Sequence, residues 1–147
     1  MPSNLTGRQL NIAASKSPKS KKCIAQNQKN QFMEIYKKNI FTLPKPLPLA
    51  LELFEPIVKT SSLLVERIVS MGQTTPPNEW YEQATDEWVL LLQGTARLLF
   101  DHFEGEIIEL LAGDYVLIPK QRKHRVIYTS TQPPCVWLAI HGSLVNK

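Results

Sequence analysis

The chain has 147 residues, 43% of them hydrophobic and 20% charged, with a formal net charge of +4, which is the make-up of one ordinary globular domain. No run approaches the roughly 18 apolar residues that a membrane helix needs, so no membrane span is expected. Residues 1–32 carry six basic residues (Arg8, Lys16, Lys19, Lys21, Lys22 and Lys29) and no acidic one, leaving the remainder at net −2; the basic character belongs to a tail, and no nucleic-acid partner is expected for the rest.

That tail is rich in Ser, Asn and Gln and poor in large apolar groups, so it cannot offset the entropy of ordering. Three readings stand: a disordered tail, an organelle transit segment, and an unused upstream start with Met33 opening the product. Acid-poor, Ser-rich composition suits a transit segment, but a single arginine does not. The expected division is a basic N-terminal tail over 1–40 and a folded domain over 41–147. Cys23 and Cys135 make neither a disulfide framework nor a CxxC spacing, and with no secretory leader a reducing, cytoplasmic compartment is the expectation.

The stretch 42–56, "TLPKPLPLALELFEP", is proline-spaced. Pro44, Pro46 and Pro48 favour an extended lead-in, and "LALELFE" is expected to make one or two helical turns before Pro56. The segment should strap the outside of the domain with Leu49, Leu53 and Phe54 packed down. It is too apolar to stay exposed as a polyproline ligand. Next, 62–71 reads as a long strand, with Leu63, Val65, Arg67 and Val69 alternating with Leu64, Glu66, Ile68 and Ser70. The loop "GQTTPPN", stiffened by Pro76-Pro77, leads to 79–82, where Trp80 and Tyr81 either stack on a flat ligand or pack as a rim.

From residue 83 onward the pattern is antiparallel β. Glu87, Val89 and Leu91 share one face of an extended segment and Trp88, Leu90 and Leu92 the other, so this strand lies between packed layers. Gly94 ends it, and Ala96, Leu98 and Phe100 alternate with Arg97 and Leu99 in the next. Glu104-Gly105 marks a tight turn before "EIIELL", Gly113-Asp114 a turn before "YVLIP", and Pro119 a stop. "RVIYT" and "CVWLAI" come after it. Turn signals recur about every 8 to 12 residues, the spacing of an all-β sandwich or barrel.

These residues carry a family resemblance. Glu87, six residues and Gly94 resemble the second half of the first cupin motif, Gly-x5-His-x-His-x3or4-Glu-x6-Gly. Gly113, five residues, Pro119 and then His124 resemble the second, Gly-x5-Pro-x-Gly-x2-His-x3-Asn. The pair is similar to small single-domain cupins that read "Gln-x3-Glu-Trp-Val…Leu-x-Gly" and "Gly-Asp-x3-Ile-Pro-x4-His-Arg-Val", over roughly 63–142. The resemblance implies an all-β, antiparallel jelly-roll barrel with a ligand or metal site inside it, in a homodimer. Two departures stand out. In place of His-x-His the chain has Trp80-Tyr81-Glu82 or Tyr81-Glu82-Gln83, according to the spacing chosen, and Gln121 and Tyr128 replace the glycine and asparagine of the second motif.

The candidate residues can be weighed one by one. A carboxylate at Glu87 among Val, Leu and Trp is costly unless paired, hydrogen-bonded or bound to a cation; the plain alternative is an ion pair with Arg97 or Arg125. His124 shares a face with Val126 and Tyr128 and is either a neutral metal ligand or a satisfied core histidine. Gln83 and Glu82 are the candidates for the missing ligand positions. With Glu87 and His124 they would make a mixed N/O set for a divalent metal, with no choice among Zn, Mn, Fe and Ni. Trp80, Tyr81 and Tyr128 are the expected ligand-pocket residues. His141 is read as a strand-end histidine capping the barrel, and His102 as a solvated turn residue. Two functional classes are compatible with this set: a metalloenzyme in which the cation activates water or dioxygen or polarises a carbonyl while Glu87 or Glu82 moves a proton, and a metal-free barrel that binds or senses a small molecule. A barrel serving only assembly is the third.

Overall fold

The computed structural model describes residues 35–102 and 105–145. Of the tail expected over 1–40 to be disordered or non-native, residues 1–34 lie outside the described residues. The chain divides into two units, Met1–Lys37 and Lys38–Lys147, and every strand among the described residues belongs to the second.

The alternation in the sequence becomes eight strands: β1 (Leu53–Lys59), β2 (Leu64–Ser70), β3 (Asp86–Gln93), β4 (Thr95–Phe100), β5 (Glu106–Leu111), β6 (Tyr115–Ile118), β7 (His124–Thr129) and β8 (Cys135–Gly142). There is no helix among the described residues. The strands hydrogen-bond as two antiparallel sheets, β1-β2-β8-β3-β6 and β5-β4-β7, rather than as one continuous cylinder. Val89, Leu91, Ala96, Leu98, Phe100 and Trp137 are among the side chains of both sheets that fill the core between them. Burying a leucine as completely as Leu91, at 0% exposure, contributes roughly 1.5–3 kcal/mol.

The helical turns expected in "LALELFE" do not form. Leu53 instead opens β1, which pairs with β2 from Leu53↔Val69 to Lys59↔Leu64. Pro56 decides where this strand can lie. It has no N–H to donate, so it sits on an edge strand, beside the register shift between Pro56 and Val58. The lead-in is held by polar clasps. Arg67 pairs with Glu55 and donates Nη1 to the carbonyls of Ile40 (2.8 Å) and Thr42 (2.7 Å), and Gln73 Nε2 donates to Leu49 O at 2.8 Å.

A second irregularity matters more for the site. Arg97 pairs with Tyr128 but Leu98 with Val126, so Ile127 is an extra residue in β7. A bulge of this kind inverts the alternation beyond it. Val126 faces the cavity while Tyr128 turns outward and is 42% exposed. The loop ahead of the site is stitched to β7: Tyr81 and His124 exchange backbone hydrogen bonds at 2.8 and 3.1 Å, and Thr75 N–H donates to Val126 O at 2.9 Å.

The turn between β6 and β7 supports the strand leading into β3. Gln121 N–H donates to Gln83 O at 2.7 Å. The Asp86 carboxylate accepts N–H groups from Lys120, Leu144 and Val145 at 3.0, 3.0 and 3.1 Å, which hold its pKa below the ordinary value. Gln121, exposed and standing where the second cupin motif has glycine, has φ 62°. A side chain in that left-handed region costs about 1–2 kcal/mol, and glycine gives part of this back through unfolded-chain entropy. Gln121→Gly should therefore raise stability by about 0.5–1 kcal/mol, measured by urea denaturation; a loss of stability would show that the turn is not strained.

Candidate functional site

Polar side chains are brought to one place by register. On the inward face of the larger sheet Glu87 of β3 lies directly opposite His141 of β8. Glu66 of β2, opposite Ala139, sits diagonal to His141, within reach for long side chains. Gln83 comes from the extended segment before β3, and His124 opens β7 on the facing sheet.

These residues form one chain of contacts. Glu66 Oε1 is 2.9 Å from His141 Nε2, and His141 Nδ1 is 2.8 Å from Gln83 Oε1. Gln83 Nε2 donates to Glu87 Oε2 at 2.8 Å, and the same oxygen is 3.4 Å from His124 Nε2. His124 Nδ1 lies 3.1 Å from Arg122 O. The direction of each contact follows from what the groups can do. An ionised carboxylate and a carbonyl only accept, so Gln83 presents its NH2 to Glu87, and His124 carries a proton on Nδ1 and turns Nε2 toward Glu87. Gln83 Oε1 then accepts from His141 Nδ1–H, and a further proton is held between His141 Nε2 and Glu66. Glu87 and His124 are 7% and 5% exposed, so these contacts form away from bulk water.

The chain borders a cavity of about 220 Å3, whose apolar wall includes Phe54, Ile68, Val89, Leu98 and Trp137. Glu52, from the lead-in to β1, also lines it. Trp137 Nε1–H donates to Ser70 Oγ at 3.1 Å, and Ser70 donates in turn to Glu52. Burial pushes the Glu52 pKa up, with the Ser70 bond opposing in part. The Tyr81 hydroxyl is likewise pushed above its ordinary range, first by burial and then by the Glu52 charge. Among the described residues no lysine or arginine lines the cavity.

Of the expected metal set, the structure brings Gln83, Glu87 and His124 together and leaves Glu82 outside. Glu82 lies 3.9 Å from Lys123 at the surface. Of the expected pocket residues, Tyr81 lines the cavity but Trp80 and Tyr128 do not: Trp80 lies beneath the Arg125 guanidinium at 5.7 Å and Tyr128 beneath that of Arg97 at 5.2 Å. In an extended segment Trp80 and Glu82 alternate with Tyr81 and Gln83, so when one pair faces inward the other faces out. Tyr128 is turned out by the bulge. Of the two spacings open in the sequence, the structure thus favours the one placing Tyr81 and Gln83 where cupins carry His-x-His. Neither Arg97 nor Arg125 pairs with Glu87. His141, expected to cap the strand end, is instead central, and Glu52 and Glu66 join it as cavity residues that no sequence motif marks.

The donor set does not fit a divalent metal as it stands. Among the described residues no group of three His, Cys, Asp or Glu side chains is placed to hold one. Tyr81 keeps its proton, and Gln83 offers Glu87 an amide NH2 where a ligand would need a lone pair.

The comparisons with known proteins agree with this architecture. The family model described as Cupin domain matches residues 67–141. A Ralstonia eutropha JMP134 protein, provisionally named a mannose-6-phosphate isomerase, is 33% identical with a TM-score of 0.69, over 74% of this chain and 99% of that one. A cupin superfamily protein from Desulfitobacterium hafniense DCB-2 is 19% identical with a TM-score of 0.54, over 74% and 99%. The iron(II) form of HppE is 15% identical with a TM-score of 0.52, over 61% and 49%, and shows the fold alone. No curated protein matches the sequence.

Proposed function

The chain belongs to the cupin family, and from that premise we propose that the cavity between its sheets binds a small molecule that is uncharged or positively charged, without a resident metal. The observation that carries this reading is the lining, in which, among the described residues, three carboxyl groups (Glu52, Glu66 and Glu87) face the cavity and no lysine or arginine does. An anionic phosphate has no cation to pair with here and meets like charge. The reading therefore parts from the sugar-phosphate name of the Ralstonia relative. About 220 Å3 lies below the roughly 300–1,000 Å3 of drug-sized pockets, so the ligand is small. The apolar wall suits its body and Tyr81 and Trp137 suit a cationic head. Cupin barrels host many chemistries, and the fold makes no choice of reaction among them.

Thermal melts of the full chain test this with propylamine and benzylamine against mannose 6-phosphate. The amines should raise the midpoint, by the equivalent of about 2.7 kcal/mol at a hundred times their Kd. Stabilisation by the phosphate and not by the amines would overturn the proposal.

Glu52 gives the reading a pH signature. Its native pKa is raised by burial, so the folded state binds this proton more tightly than the unfolded chain. Stability due to this group is then full in acid and declines as pH rises from the ordinary carboxylate value through the raised native one. Glu52→Gln keeps an acceptor for Ser70 and removes the charge. It should be more stable than the wild type at neutral pH, equal to it below about pH 4, and weaker in binding amines. Melts across pH check the first two and titration calorimetry the third; an unchanged pH profile would remove Glu52 from the account.

A divalent metal (Zn, Mn, Fe or Ni) is the competing reading. What favours it is that His124 Nε2 and Glu87 Oε2 face each other at 3.4 Å beside the cavity. Elemental analysis of untagged protein decides: near-stoichiometric metal, lost in Glu87→Gln and His124→Ala, would establish it.

The expected homodimer is also retained as a proposal. On the outer face of the larger sheet Trp88 stands between Leu117 and Ile140, and Leu90 between Tyr115 and Leu138. A second copy laid on this apolar face would cover it. Light scattering should give twice the chain mass, and a monomeric mass would exclude the dimer. No helix among the described residues is long and apolar enough to cross a membrane.

A further inference from the structure

We infer that Gln83 is the residue that keeps divalent cations out of this cavity, its amide group occupying on Glu87 the place that a cation would take while its carbonyl fixes His141. The inference deepens the metal-free reading above and rests on it. A buried carboxylate needs a positive or hydrogen-bond-donating neighbour. In a metal-binding cavity the cation supplies that; here the Gln83 NH2 does, at 2.8 Å from Glu87 Oε2. His124 Nε2 reaches the same oxygen at only 3.4 Å, too long for a good hydrogen bond, which leaves the amide as the close donor to it.

Gln83 cannot turn round to offer its oxygen instead. Its Oε1 already accepts from His141 Nδ1 at 2.8 Å, and His141 is held from the other side by Glu66 at 2.9 Å. A flipped amide would set oxygen against the Glu87 carboxylate and NH2 against a ring N–H, two repulsive contacts in place of two favourable ones. Glu87, which only accepts, thus sets the amide in its metal-excluding orientation, and His141, sharing its second proton with Glu66, donates Nδ1–H to the amide oxygen. The remaining parts of a metal centre are in place, because His124 donates Nδ1–H to Arg122 O, the backbone contact that orients a ligating imidazole.

One substitution should therefore open the site. Imidazole Nε2 extends about as far from the backbone as glutamine Nε2, so Gln83→His puts a lone pair where the NH2 now lies and completes a two-histidine, one-carboxylate set with Glu87 and His124. His141 can then accept the new ring's Nδ1–H by losing its Nδ1 proton to solvent and keeping the one it shares with Glu66.

The test uses the full chain, purified without a histidine tag, stripped with chelator and titrated with Zn(II) or Ni(II) alone, followed by metal analysis after desalting. The expected results are no retained metal in the wild type, about one per chain in Gln83→His, and at least roughly tenfold weaker binding when His124→Ala is added. Circular dichroism establishes folding, and if Gln83→His does not fold, Gln83→Glu, which also replaces the NH2 by a ligand, takes its place with the same expectation. Stoichiometric metal in the wild type, or a folded position-83 variant that retains none, overturns the inference. A wild type that binds neither metal nor amines would sink the ligand proposal and leave this one standing.

Discussion

Gly94→Ala should destabilise the protein by about 3–4 kcal/mol, the largest loss expected from adding one methyl group. Two independent terms add. Gly94 has φ +90°, where an L side chain costs about 1–2 kcal/mol. Its new Cβ would also lie 2.7 Å from Ser130 Oγ and 2.9 Å from Cys135 Cα. The second contact is with backbone, which cannot rotate away. Ser130 is no freer, since its hydroxyl accepts from Thr95 N–H at 3.1 Å and donates to Pro133 O at 2.7 Å. Overpacking of this kind costs about 1–3 kcal/mol. Gly94 is thus required by the close approach of the β3–β4 turn to the start of β8, which explains the glycine that ends the first cupin motif here. Denaturant unfolding measures the change, and a loss under about 1 kcal/mol would mean that the turn yields.

The strands are legible because nearly every one buries a single face, which writes its period directly into the sequence. β3, apolar on both faces, reads as a layer between layers; its Glu87, Val89 and Leu91 face is buried against the facing sheet, while Trp88 and Leu90 are half-buried on the outer face. What escapes the sequence depends on geometry that alternation does not carry. β1 looks like helical turns because "LALELFE" taken alone has helix formers at suitable spacing. Only pairing with β2 makes the extended form preferable. Counting from His124 places Tyr128 inward, and the extra residue Ile127 defeats the count. Trp80 and Glu82 are candidates because a gap of three or four residues before Glu87 cannot be resolved without knowing which side chains face the cavity.

Glu66 and His141 illustrate a different limit. Glu66 shares its strand face with Ile68, the same anomaly that draws attention to Glu87, but no motif points at it. Its partner lies 75 positions along the chain. His141, judged from its own strand alone, stands among Trp137 and Ala139. The β2–β8 and β3–β8 registers, which set it beside both Glu66 and Glu87, cannot be read from the local sequence. The motif residues Glu87 and His124 mark the location of the site, and its character is hidden in the cross-strand pairs around them.

That character predicts a strongly non-additive pair. Gln83→Leu removes the close donor to a carboxylate that is 7% exposed and leaves it facing His124 at 3.4 Å, while His141 loses its acceptor. A buried charge left without its partner costs about 3–5 kcal/mol. Adding Glu87→Leu removes the stranded charge and fills its place with apolar surface, so the double variant should be more stable than Gln83→Leu by about 1–2 kcal/mol. The His141 Nδ1–H left without its acceptor is common to both and cancels from that comparison. Denaturant unfolding of the wild type, the two single variants and the double variant measures the coupling directly. Additive losses would mean that the 2.8 Å contact carries no energy, and Gln83 would then have no hold on Glu87 with which to exclude a cation.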